Sequence, residues 1–152
     1  MQYLIAAIGK MRTSAERDLL NNYSARIRPP LQILELEEKR NLSSAELKTR
    51  EGELLLAAIP TGAKVIALDE RGKSITSREL AIQLGAWKDD GVRETVFLIG
   101  GADGLDERVR KKANMILSFG AMTWPHMMVR AMVAEQLYRA QTILSGHPYH
   151  RD

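Results

Sequence analysis

The chain has 152 residues, 45% of them hydrophobic and 27% charged, which is enough for one domain with a sizeable core and ordinary for a globular protein. It contains no cysteine, which excludes disulfides, a thiolate nucleophile and a cysteine-based zinc site and fits a reducing compartment. Nothing approaches the roughly 18 apolar residues of a membrane helix, the start lacks the basic region of a signal peptide, and the net charge of +3 permits a nucleic-acid partner without demanding one.

Tyr3 to Ile8 is an apolar run of strand length stopped by Gly9. Ser14 caps a predicted helix to about Ala25, with Leu19, Leu20 and Tyr23 at helical spacing, and Pro29-Pro30 ends that unit. Leu31 to Leu36 reads as a second strand. Ser43 with Glu46 forms a capping box that opens a helix to about Ala58, before Pro60 and Gly62. Lys64 to Leu68 is a third strand, followed by a polar connection from Asp69 to Lys73. Thr76 or Ser77 caps the next helix, whose Leu80, Ala81, Leu84 and Trp87 share a face, and Gly91 closes it.

Thr95 to Ile99 is the fourth strand, Asp106 to Ala113 a short charged helix and Met115 to Leu117 a fifth strand. The last helix starts at Pro125, a residue favoured at the first helical position. Its expected apolar face is Val129, Met132, Val133, Leu137, Ala140, Ile143 and Leu144, and Gly146 ends it. Strands alternate with helices, and the central strands are apolar on both faces. That pattern predicts a single α/β domain over 1–152, a mostly parallel sheet flanked by helices.

Chemistry-bearing residues concentrate in the last third. Gly100-Gly101-Ala102-Asp103-Gly104 lies between a strand and a helix, where glycines let main-chain N–H groups approach a ligand. The local sequence fits a plain tight turn equally well, and it matches neither the dinucleotide nor the Walker fingerprint. Thr123-Trp124-Pro125 makes a second bend. His126 and Arg130 follow on adjacent helical turns and are able to hold a phosphate or a polarised carbonyl, although a helix start with a structural histidine is the plainer reading. Glu135 and Arg139 are spaced as a surface ion pair. The tail His147-Pro148-Tyr149-His150-Arg151 offers stacking and phosphate contacts. Two histidines without a third ligand do not make a metal site, so none is expected.

These segments in their order and spacing resemble the RlmH family of SPOUT methyltransferases. The likeness rests on IGK at Ile8 to Lys10, ALDERGK at Ala67 to Lys73, LIGGADG at Leu98 to Gly104, MTWPHMMVR at Met122 to Arg130, VAEQLYRA at Val133 to Ala140 and GHPYHR at Gly146 to Arg151. The resemblance implies a SPOUT-type fold whose C-terminal segment forms a deep trefoil knot. It implies a cytoplasmic homodimer that uses S-adenosylmethionine, without a metal, to methylate N3 of a pseudouridine in the helix 69 loop of 23S ribosomal RNA, free or in the assembled ribosome. Carried over by position, cofactor contacts fall at Leu68, Gly100, Gly101, Gly120, Ala121, Met122, Thr123, Trp124 and Pro125. Substrate and catalytic roles fall at His126, Arg130, Glu135, Tyr149, His150 and Arg151. Trp124 departs from the family pattern, which more often has an aliphatic residue or Phe there.

The sulfonium of that donor is already activated, so alignment is much of the work. The target nitrogen must lose an imide proton, for which His126, His150 and Glu135 are the candidate acceptors. Arg130 and the tail cations are the candidates for stabilising charge on the base carbonyls. Two rivals are a non-catalytic RNA-binding module of the same fold and a flavodoxin-like enzyme that uses the glycine turn for phosphate.

Overall fold

The computed structural model describes residues 1–151, so the expected domain lies within it except for Asp152. Five strands, β1 (Gln2–Ile8), β2 (Gln32–Leu36), β3 (Lys64–Lys73), β4 (Glu94–Ile99) and β5 (Met115–Leu117), alternate with five helices: α1 (Ala15–Ser24), α2 (Ser44–Ala57), α3 (Ser77–Asp89), α4 (Glu107–Lys112) and α5 (His126–Ser145). The sheet order is β2-β1-β4-β3-β5 and every pairing is parallel.

Side-chain alternation along the central strands divides the interior into two layers. Tyr3, Ile5 and Ala7 of β1, Phe97 and Ile99 of β4 and Ile66 of β3 meet Leu20 of α1, Leu80, Ala81, Leu84 and Trp87 of α3, and Ala131, Val133, Ala134, Leu137 and Ala140 of α5. The intervening residues Leu4, Ala6, Ile8, Val65, Ala67, Val96 and Leu98 face Leu55 of α2 and Leu105 and Val109 near α4. Both faces of the sheet are therefore covered, which is why its strands read as continuous apolar runs rather than as alternations.

Local signals set most boundaries. Ser14 caps α1, and reciprocal capping boxes join Ser43 to Glu46 and Thr76 to Glu79. Gly146 ends α5 in the left-handed conformation at φ +70°.

Four expectations change. Strand β3 runs through the supposed polar connection to Lys73: it bulges after Leu68 and returns to pair with β5, Ser118 N–H donating to the Lys73 carbonyl at 2.9 Å. Gly72 makes this return feasible, because a Cβ there would lie 2.6 Å from the Ile116 backbone. Pro125 is the N-cap of α5 rather than its first helical residue. Leu19 is exposed, since only Leu20 of that pair turns inward. Leu144 is also exposed, and α5 is buried beyond one stripe: Arg130, Ala131, Ala134 and Thr142 are interior as well, because the helix wedges against both α1 and α3.

Candidate functional site

The carboxyl ends of β3, β4 and β5 open into one cavity of about 620 Å³, the usual position for a ligand in an open parallel sheet. Its floor is apolar, with Leu68, Ile99, Leu117 and Val129. One wall is the bend Gly100–Leu105 and the other is the bend Phe119–Pro125. Of the residues expected to contact a cofactor, all line this cavity except Ala121. Trp124 stands at the rim, 40% exposed, with its indole N–H donating to the Phe119 carbonyl at 3.3 Å, so its ring is not a core residue.

Each bend has a local cause. In the first, Gly104 adopts φ +80° and its N–H donates to the Gly101 carbonyl at 3.1 Å. Gly101 is closely packed: a Cβ would sit 3.1 Å from the Glu51 carboxyl and 3.2 Å from Ile8, so a side chain there would push on both. Glu51, on α2, is itself buried with Oε2 unpartnered; burial first, then the charge of Asp103, pushes its carboxyl up from the usual range. In the second, Gly120 sits at φ +112° and Ser118 Oγ exchanges hydrogen bonds with its main chain, accepting from N–H at 3.1 Å and donating to the carbonyl at 3.0 Å.

The rim carries both signs of charge. Lys48, Asp69, Glu70, Arg71 and Asp103 all line the opening. Burial raises Asp69, but hydrogen bonds from the Arg71 side chain and backbone, with the nearby Arg71 and Arg110 charges, outweigh it and hold the carboxyl below its usual range.

His126 also lines the cavity. Burial, then the adjacent Arg130 charge, lowers its pKa from the ordinary histidine value, so the imidazole is neutral near pH 7. It is equipped to accept a proton.

Arg130 does not reach the cavity. Its side chain has no exposed surface. Nη1 donates to Glu35 Oε2 at 2.7 Å, and Nη2 donates to the Ile8 and Gly9 carbonyls at 2.7 and 2.8 Å. Glu35 Oε2 also accepts from Met11 N–H at 2.6 Å. Arg130 therefore ties the end of β1 and edge strand β2 to the start of α5. It positions the site rather than facing a substrate, which corrects the expectation that it stabilises charge on a bound base.

Glu135, Tyr149 and His150 form a separate cluster. Arg139 donates to Glu135 Oε1 at 2.6 Å and lies 3.1 Å from His150 Nδ1. A guanidinium only donates, so that ring nitrogen is the acceptor. The Tyr149 hydroxyl donates to Glu135 Oε1 at 3.0 Å and lies 3.3 Å from the Tyr23 hydroxyl. Burial, then the Tyr23 and Glu135 hydrogen bonds, pushes the phenol well up, so it stays protonated. The Tyr149 ring is edge-on to Tyr138 at 4.8 Å and beneath the Arg139 guanidinium, while Arg151 is exposed. Glu135 is thus no isolated surface pair, and its oxygens are already committed. It lies nine residues along α5 from His126, about 13 Å of helix rise, and none of the cluster lines the cavity. Among the described residues, no group of three or more His, Asp or Glu is placed to hold a metal ion.

Sequence reasoning missed Glu35, Glu51 and Lys48. A carboxylate inside an apolar strand, and one beside Gly52 in the middle of a helix, were the available signals.

Comparison with known proteins is consistent across the chain. A family model described as "Predicted SPOUT methyltransferase" matches residues 1–150. The chain is 56% identical over 151 residues to a ribosomal RNA large subunit methyltransferase H of Paramagnetospirillum magneticum and 51% identical to one of Rhodospirillum centenum, each alignment covering 99% of both chains. Among solved structures it resembles a probable methylase family protein from Haemophilus influenzae, with TM-score 0.60, 13% identity, and coverage of 99% of this chain and 70% of that one. It also resembles a Legionella pneumophila protein solved in complex with the bound cofactor SAM, with TM-score 0.50, 10% identity, and coverage of 92% and 66%.

Replacing Arg130 should act mainly on folding. Arg130→Ala removes the side-chain donor to two carbonyls and leaves Glu35 only the Met11 N–H, and should lower unfolding stability by about 3 kcal/mol. Arg130→Lys should recover only part of that, since an ammonium does not reproduce the fork. Denaturant melts of both variants check this, and wild-type stability in Arg130→Ala would contradict it.

Proposed function

The chain belongs to the SPOUT methyltransferases and, within them, to the ribosomal RNA large subunit methyltransferase H family, and from that premise we propose that it transfers a methyl group from S-adenosylmethionine to N3 of a pseudouridine in the helix 69 loop of 23S ribosomal RNA, as a homodimer. The observation that carries the reading is the cavity between two main-chain bends with a neutral imidazole in its wall.

The residues present fit the donor. The volume suits a nucleoside joined to an amino acid. Leu68, Ile99, Leu117 and Val129 offer an apolar bed for a purine, and Gly100–Gly104 and Gly120–Pro125 offer main-chain groups to its polar edges. Asp69, Glu70 and Asp103 suit its cationic centres, and Lys48 suits its carboxylate. When bound, the donor supplies an activated methyl group on a sulfonium. The protein then has to exclude water, align the target nitrogen and take up its imide proton. His126 takes that proton, because within a subunit it alone among the candidate acceptors borders the cavity, and Glu135 and the His150 Nδ1 are engaged by Arg139.

The tail stands apart from its own cavity, so one subunit does not present both to a single base. A second copy that places its Tyr149–Arg151 tail over this opening completes the site, and this supports the dimer. In the same reading, the chain closes the SPOUT knot where the Phe119–Pro125 bend leads into α5, with α5 packed back against α1 and α3.

Two outcomes follow. Single-turnover methylation of ribosomes lacking the modification should rise with pH and level off below the ordinary histidine pKa, since protonated His126 accepts nothing; His126→Asn should lose that limb and slow the step by about 10²-fold or more. A near-wild-type rate with the limb intact would remove His126 from the role. Mixing inactive His126→Asn with a variant lacking residues 149–152 should restore activity through heterodimers with one complete site. No recovery, with exchange of subunits verified by mass, would refute the shared site.

A further inference from the structure

The loop from Gly9 to Ser14 leaves β1 where the strand order reverses, with β2 on one side of β1 and β4 on the other. That reversal is where open parallel sheets receive ligands. The loop starts next to one residue of the cavity wall: a Cβ on Gly9 would lie 3.8 Å from Nε2 of His126, which lines the cavity described above, and 3.4 Å from Met127.

This loop has no regular secondary structure, yet it is fastened through the main chain of Gly9 and Met11. Gly9 N–H donates to the Leu36 carbonyl at 2.7 Å, the Gly9 carbonyl accepts from Arg130, and Met11 N–H donates to Glu35. The Met11 carbonyl accepts from Arg17 Nη1 at 3.3 Å, and the Met11 side chain is buried. On either side of that anchor, Lys10 and Arg12 are exposed. Neither side chain makes a hydrogen bond or ion pair among the described residues. The nearby carboxylate, Glu35, is already held by Arg130 and Met11.

Two unneutralised cations on a pre-ordered loop beside the site suit a polyanion, because little ordering is needed when it binds. We infer that Lys10 and Arg12 form a docking site for the phosphates of the RNA strand flanking the target nucleotide. The inference rests on the reading of this chain as an RNA methyltransferase and adds the surface that grips its substrate. Phosphate contacts of this kind fix register without reading sequence. Their loss therefore weakens capture of the RNA while leaving the reacting groups in place. The buried Arg130 fork serves this loop as well as the cavity, since the same guanidinium holds the Gly9 carbonyl and the start of α5.

The test is steady-state methyl transfer to ribosomes from a strain lacking the gene, over a salt series, with donor affinity measured in parallel by calorimetry. Lys10→Ala/Arg12→Ala is compared with Lys88→Ala/Arg93→Ala, which removes the same charge from exposed positions at the opposite end of the sheet. The first pair should raise KM for ribosomes about tenfold, leave kcat and donor affinity unchanged, and flatten the dependence of log kcat/KM on log salt by about 1.4 to 1.8, the equivalent of two phosphate contacts. The second pair should match the wild type. An unchanged KM and salt slope in the first pair, or equal losses in both pairs, would overturn the docking site while leaving the methyltransferase reading intact. A wild-type protein that binds the donor but transfers nothing to ribosomes would overturn the reading itself and the docking site with it.

Discussion

A single buried guanidinium holds the functional end of this molecule together. Arg130 has no solvent exposure, and its donors span the Glu35 carboxylate and the Ile8 and Gly9 carbonyls. Those partners come from the exits of β1 and β2, whereas Arg130 belongs to α5. Burying a cation is costly, and the cost is tolerable only because a carboxylate and two main-chain dipoles surround it. Nε remains without a partner, so the compensation is incomplete. Such an arrangement gains geometric definition more than stability, and among the elements it defines is α5, whose first turns border the cavity.

The parallel sheet supplies the rest. All five strands point the same way, so the connections after β1, β3, β4 and β5 gather at one edge. Two of them are bends whose shape depends on glycine, at Gly104 and Gly120, where φ is positive. Their walls are therefore largely main chain, which suits a ligand recognised through hydrogen bonds at close range. His126 begins the helix that Arg130 anchors, so the same fork that fixes the loops also fixes the imidazole. The tail cluster of Glu135, Arg139, Tyr149 and His150 is a second pre-ordered unit, set apart from the cavity.

Much of this was legible in the chain. The Ser43 capping box, the Ser14 cap, the cap at Thr76 or Ser77 and Gly146 mark helix ends by local chemistry, and the apolar runs of the central strands reveal a sheet covered on both faces. The failures share a cause. The β3 segment from Asp69 to Lys73 is polar, so periodicity reads it as a connection, yet Lys73 and Gly72 return to pair and pack with β5. Arg130 beside His126 reads as a pair able to hold a phosphate or a polarised carbonyl, because its main-chain acceptors lie more than a hundred residues earlier in the chain. Leu144 fits the helical stripe but stays half exposed, with only its tip against Gly85 of α3. In each case a tertiary contact overrode a local pattern. The residues placed around the cofactor came from family likeness, and the structure brings all but Ala121 of them to one cavity.

The central claim is that the cavity between the Gly100–Leu105 and Phe119–Pro125 bends receives S-adenosylmethionine. A crystal structure of the full chain grown with that compound tests it most directly. The account predicts density for the donor bedded on Leu68, Ile99 and Leu117, with its methyl directed toward the side on which His126 stands. Density at another place on the molecule, with both bends and the imidazole untouched, would contradict it.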